Sequence, residues 1–263
     1  MIRATILGCG SSGGVPRIGA GWGDCDPAEP KNRRRRCSLM VEKVGPMGLT
    51  RVLIDTGPDL REQLLSVNVS HLDAVVYTHS HADHVHGVDD LRMVVMSMGA
   101  RLPVWADGPT SDALVSRFGY VFVQPEGSAY PPILDLNPIE GAIRINGAGG
   151  ELELIPFRAK HGRIDALGFR IGGLAYLPDV SSLYEETRSA LTNLDILIID
   201  ALRRAPHPTH AHLDQSLAWI AELAPRQAVL TNMHNDLDYV TVASETPPHV
   251  NPAYDGMVLE LPE

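Results

Sequence analysis

Cysteine is scarce in this chain. Cys9, Cys25 and Cys37 are odd in number and form no CxxC pair, which argues against a disulfide framework and fits a reducing compartment. No apolar run reaches the roughly 18–20 residues that a bilayer span needs. The opening stretch MIRATILGCGSSGG lacks a basic segment followed by a long apolar one, so it reads as no secretory signal and a cytoplasmic location is expected. Positive charge is also in short supply. A formal net charge of −10 argues against a broad nucleic-acid surface, whose affinity comes mainly from phosphate neutralisation. The exception is Lys31-Asn32-Arg33-Arg34-Arg35-Arg36, which reads either as a solvated charge run or as a patch steering an anion to a nearby site.

What is present is ordinary for a globular chain: 263 residues, 44% hydrophobic and 21% charged. There is no internal repeat and no sharp composition shift, so residues 1–263 are expected to form a single domain. Short apolar runs alternate with glycine- and proline-rich loops. Strands are expected at Ala4–Leu7, Ser38–Glu42, Val52–Ile54, Ala74–Tyr77 and Val104–Ala106. Further strands are expected at Leu152–Pro156, Gly168–Ile171, Ala175–Leu177, Ile196–Ile199, Ala228–Leu230 and Val258–Leu261. Helices fit Pro58–Ser66, Thr110–Gly119, Ser182–Thr192 and Asp214–Ala224, the last with Leu217, Ile220, Ala221 and Ala224 at helical spacing and Asp214 as its cap or in its first turn. This pattern implies an α/β (α+β) fold of two packed sheets with helices outside. Glu126 to Gly150, rich in Pro and Gly, reads as a long surface loop.

Histidine is concentrated rather than spread. Tyr77-Thr78-His79-Ser80-His81-Ala82-Asp83-His84-Val85-His86-Gly87 carries four of the 11 histidines, directly after the buried-strand signal Ala74–Tyr77. Alternation puts His79 and His81 on one side of an extended backbone. Asp83 and His84 follow at the turn into a short helix and approach from another direction. Imidazole suits zinc, manganese and iron, and a carboxylate adds charge neutralisation. No pattern demands His86, which reads as a supporting or exposed residue.

The H-x-H-x-D-H spacing of His79, His81, Asp83 and His84 resembles the signature of the metallo-β-lactamase superfamily. That resemblance spans nearly the whole chain and implies a four-layer αββα metallo-β-lactamase sandwich holding two divalent metal ions, Zn2+ or Mn2+. It also implies further ligands at strand ends: His161, Asp179 and His234. One ion would be held by His79, His81, His161 and Asp179, the other by Asp83, His84, His234 and Asp179. The commoner pattern places histidine directly after Leu-Thr, where this chain has Asn232, with His234 two residues on.

The glycine-rich stretch Leu7-Gly8-Cys9-Gly10-Ser11-Ser12-Gly13-Gly14-Val15-Pro16 reads as a tight turn, or as a loop offering backbone N–H groups to an anion. It lacks the lysine and spacing of a P-loop. Together with Asn32-Arg33-Arg34 and His212-Leu213-Asp214, it resembles the PhnP-type phosphodiesterase branch, which is related to tRNA 3′-processing endonucleases. That resemblance implies hydrolysis of a small cyclic or linear phosphodiester of a nucleotide or sugar by a metal-bridging hydroxide. His212 would be the general acid, with His210 as its alternate, and Asp83 would also orient the hydroxide. The cysteine-rich zinc knuckle of the branch has no counterpart in Gly21-Trp22-Gly23-Asp24-Cys25-Asp26-Pro27, so no extra zinc is expected and contacts around Trp22 would hold that loop. The expected partner is a small phosphodiester substrate; nucleic acid and membrane are disfavoured, and a homodimer stays open. Rival readings are a thioester or lactone hydrolase and a tRNA-processing nuclease, the latter lacking its long basic arm. A di-iron redox domain would carry glutamate where this chain has His81.

Overall fold

The computed structural model describes residues 1–261. Its strands, in chain order, are β1 (Ile2–Gly8), β2 (Ser38–Gly45), β3 (Gly48–Ile54), β4 (Ala74–Val76), β5 (Leu102–Ala106), β6 (Leu134–Pro138) and β7 (Ile143–Gly147). They continue as β8 (Gly150–His161), β9 (Ile164–Ile171), β10 (Leu174–Leu177), β11 (Ile196–Asp200), β12 (Gln227–Thr231), β13 (Val250–Pro252) and β14 (Val258–Leu261). Two seven-stranded sheets result, ordered β14-β1-β2-β3-β4-β5-β6 and β13-β12-β11-β10-β9-β8-β7.

Each sheet has a parallel half. Strands β3 to β6 run parallel in one, and β10 to β13 in the other. Parallel strands covered on both faces read as unbroken apolar runs, and Leu174–Leu177 and Ile196–Asp200 are buried residue for residue. Burying each such leucine or isoleucine contributes about 1.5–3 kcal/mol. The carboxyl ends of parallel strands are where α/β sheets gather functional loops.

The helices are α1 (Leu60–Ser66), α2 (Ala82–Val85), α3 (Leu91–Met98), α4 (Gly108–Phe118), α5 (Glu185–Ala190), α6 (Leu213–Leu223) and α7 (Tyr239–Glu245). Asp107 caps α4 by accepting the Thr110 N–H at 3.1 Å, and Asp238 caps α7 through the Thr241 N–H at 2.9 Å. His212 occupies the cap position of α6, with Asp214 in its first turn. Among the described residues no helix is long and apolar enough to cross a membrane.

The stretch expected as a surface loop, Glu126 to Gly150, instead carries β6 and β7. Both are five-residue edge strands, and an edge strand tolerates the proline and polar residues that disguise it. Strand β13 and helices α3 and α7 also lie outside the sequence expectations.

The chain divides into two compact units, one of Met1–Thr5, Ser38–Glu153 and Val258–Glu263, the other of Ile6–Cys37 and Leu154–Met257.

Candidate metal centre

In the first unit, β4 ends at Val76 and the chain runs through Thr78 and His79 to His81, which sits at the amino-terminal cap position of α2. The neighbouring strand β3 ends at Ile54, and the next residue, Asp55, is fully buried with a left-handed backbone (φ 65°). Its carboxylate accepts the Thr78 N–H at 2.8 Å and the Thr78 hydroxyl at 2.7 Å. It also accepts Nδ1–H of His84 at 2.8 Å. The Thr78 oxygen, having donated to Asp55, accepts Nδ1–H of His79 at 3.0 Å. Both rings are thereby set in the tautomer whose lone pair is on Nε2, as an outer-shell carboxylate does for a metal-binding histidine. Burial pushes the Asp55 carboxyl above its ordinary value, while His84 and Thr78 pull it down.

His84 Nε2 lies 3.5 Å from Asp83 Oδ2, and the rings of His79 and His81 meet edge to face at 4.6 Å. Gly87 makes this tight return feasible: a Cβ there would press into the carbonyl oxygen of Gly57. His86 is exposed and packs edge to face on Phe118 at 5.6 Å.

In the second unit, the last turns of β8 alternate in burial, so Phe157, Ala159 and His161 face inward together. His161 donates Nδ1–H to the Thr209 carbonyl at 2.7 Å, which leaves Nε2 as the lone-pair nitrogen, 3.5 Å from Asp179 Oδ2. Gly162, in the left-handed region at φ 64°, lets the chain pass Thr209; a Cβ would come within 2.5 Å of its methyl. Asp179 follows β10 and Asp200 closes β11. Asp200 Oδ2 accepts the Val180 N–H at 3.0 Å and pairs with Nδ1 of His210 at 2.9 Å. Burial, aided by the charge of Asp179, pushes the Asp200 carboxyl up to about 7 against the pull of His210. The His210 ring stands 4.6 Å from that of His161, with Nδ1 4.0 Å from Asp179 Oδ2.

Four residues form one group: the ligand atoms of His79, His81, His161 and Asp179 all lie within 4.8 Å of one another. Three imidazoles and a carboxylate are the donor set of a zinc- or manganese-class ion. His234 is not in this group. Its Nε2 is in contact with the Arg17 guanidinium, and its Nδ1 is 3.5 Å from Asp236 Oδ1. Burial and the Arg17 charge hold its imidazole below the ordinary value. His212 is half-buried at the start of α6, where its backbone carbonyl accepts the Ser216 N–H; the histidine set against His161 and Asp179 is His210.

The basic run does not form a solvated or anion-steering patch. Arg34 is buried and donates to the carbonyls of His234 (3.2 Å) and Leu237 (2.7 Å). Arg35 pairs with Asp255 at 2.9 Å, Lys31 lies over Tyr239 and Tyr254, and Arg33 over Trp22. The glycine-rich loop uses its N–H groups internally, Gly10 to Arg35, Ser11 to Met233 and Gly14 to Ser11. The following loop is held by Asn235, which accepts the Asp24 N–H at 2.8 Å and donates to the Gly21 carbonyl at 3.2 Å.

Residues 50–233 match the family described as the Beta-lactamase superfamily domain. The chain belongs to the β-lactamase superfamily. Within it, the chain is 37% identical to a crystal structure of "a new diphosphatase from the PhnP family", with a TM-score of 0.88 over 98% of this chain and 96% of that one. A curated relative, the octanoyltransferase of Porphyromonas gingivalis (strain ATCC BAA-308 / W83), is 34% identical over 260 residues, 97% of this chain and 51% of that protein. The chain thus spans about half the length of that relative. Zinc-bound PqqB from Methylobacterium extorquens shares the fold, with a TM-score of 0.72 at 20% identity over 98% of this chain and 100% of that one. The expected fold and the resemblance to the PhnP branch hold, and the fold is that of a metal-dependent hydrolase.

Sequence reasoning passed over Asp55, Thr78, Asp200 and Arg17. Asp55 and Asp200 each follow directly on a buried apolar run, the position that marked out Asp179, and that signal was sufficient to find them.

Proposed function

We propose that this protein hydrolyses a phosphodiester linkage in a small nucleotide or sugar phosphate, using divalent metal held by His79, His81, His161 and Asp179. The observation that carries the reading is His210, clamped by Asp200 at 2.9 Å and set against two of those four residues. The similarity to a PhnP-family diphosphatase adds support, because a diphosphate and a phosphodiester are cleaved by the same displacement at phosphorus. Bound metal supplies Lewis acidity and lowers the pKa of water. Asp200 accepts Nδ1–H of His210, so proton exchange with substrate takes place at Nε2. A protonated His210 neutralises charge on a phosphoryl oxygen or gives a proton to the leaving alkoxide. Asp83 and His84 are the remaining ligand-type groups of the first unit, and zinc and manganese both suit the set.

The test is hydrolysis of a panel by metal-loaded protein: bis-p-nitrophenyl phosphate, 2′,3′-cyclic AMP, a ribose cyclic phosphate, a dinucleoside diphosphate, a thioester and a lactone, with metal counted on the same sample. Turnover of phosphoesters that is lost on chelation supports the proposal. Turnover of the thioester or lactone alone would replace the substrate class while leaving the metal group in place.

A further inference from the structure

The residue that directly follows β12 is Asn232, buried and in the left-handed conformation at φ 60°. Its amide Nδ2 points into a cage of acceptors: the Pro178 carbonyl at 3.1 Å, Asp200 Oδ1 at 3.2 Å and Asp179 Oδ1 at 3.4 Å. Three acceptors fix the orientation of the amide, so the group presented to Asp179 from this turn is an N–H donor. A donor there competes for the lone pairs of Asp179 Oδ1, the carboxylate expected to bridge two ions. Two residues later, His234 is committed elsewhere. Its N–H bonds to the Leu202 carbonyl at 2.8 Å, its carbonyl accepts from Arg34 at 3.2 Å, and its ring sits between Arg17 and Asp236. The guanidinium occupies Nε2 and places a positive charge where a cation would have to bind.

A second ion would therefore draw on Asp83, His84 and Asp179, one imidazole against the three available to the first. From this we infer that the two metal positions are unequal: the chain retains one divalent ion at His79, His81, His161 and Asp179, and takes a second only from free cation in solution, because an amide donor and not an imidazole faces Asp179. The inference rests on the metal-hydrolase reading above. An oxygen-rich second position favours Mn2+ or Mg2+ over zinc.

The experiment counts metal on protein purified without chelator and dialysed against metal-free buffer, then titrates Mn2+ by calorimetry and electron paramagnetic resonance. The expected result is about one retained ion per chain and a second Mn2+ bound at least about tenfold more weakly. The His234→Ala variant should match the parent in both readings. The Asn232→His variant should retain a second ion, histidine being among the residues that tolerate a left-handed backbone. Should Asn232→His fail to fold, the His234→Ala comparison decides alone. Two firmly retained ions in the parent, with one lost in His234→Ala, would overturn the inference. Protein that neither retains nor binds any ion would instead overturn the metal-hydrolase reading.

Discussion

The carboxylate of Asp55 lies 2.8 Å from Nδ1 of the buried His84. Through the Thr78 hydroxyl the same carboxylate reaches His79. One acid on β3's end thus orients two histidines that follow β4. Replacing it with alanine leaves both rings without their acceptor, and outer-shell losses of this kind cost about 10–100-fold in metal affinity. Asp55→Ala should show that loss in competition with a chromophoric chelator. An unchanged affinity would mean that the rings are oriented by packing alone.

Why Asp55 escaped notice in the sequence while Asp179 did not is a matter of what each residue says locally. The H-x-H-x-D-H spacing and the apolar run before it announce a site, and the strands that carry it were found within a few residues of their ends. The order of His161 and Asp179 along the chain was legible because each ends an apolar run. Arg34 was not: a run of arginines carries no mark of which member is buried, since its acceptors are carbonyls of His234 and Leu237, 200 residues away or more. His234 misled for the same reason. Its sequence position after β12 suits a ligand, but Arg17, brought alongside by the loop after β1, holds the ring. Edge strands β6 and β7 hid because a strand with one partner needs little of the apolar pattern.

His210 and His212 separate cleanly in function. His210→Ala should lower kcat on a phosphoester by about 10²–10⁴-fold with metal content retained. His212→Ala, a change at a helix cap with no side-chain capping bond, should stay within about twofold of the parent, since surface substitutions of this kind shift energies by at most ~0.5 kcal/mol. Rates measured beside metal counts check both. The opposite ranking would restore His212 as the proton donor.

Gly162 combines a left-handed backbone with a close approach to Thr209, whose carbonyl anchors His161. Gly162→Ala adds strain of about 1–3 kcal/mol and displaces that carbonyl. Thermal unfolding should shift downward and zinc should dissociate faster from the variant, read by melting and by chelator-driven release. Parental values for both would show that the turn relaxes without moving Thr209.

Asp238 gives the protein a pH-dependent clamp. Burial pushes its carboxyl up, but bonds from the Thr241 N–H, the Asn32 amide (2.6 Å) and the Asp26 N–H (3.2 Å) win and hold it at about 2. An unfolded aspartate titrates near about 3.9. The folded state therefore prefers the ionised form, and the stabilisation is complete above pH ~4 and is lost as pH falls toward ~2. Because Asp238 also caps α7, Asp238→Ala should cost about 1–2 kcal/mol at pH 7. Urea unfolding of both proteins at pH 7, 5 and 3 measures this: the gap between them should be full at the first two and narrower at the third. A gap that holds constant down to pH 3 would assign the whole effect to shape and none to charge.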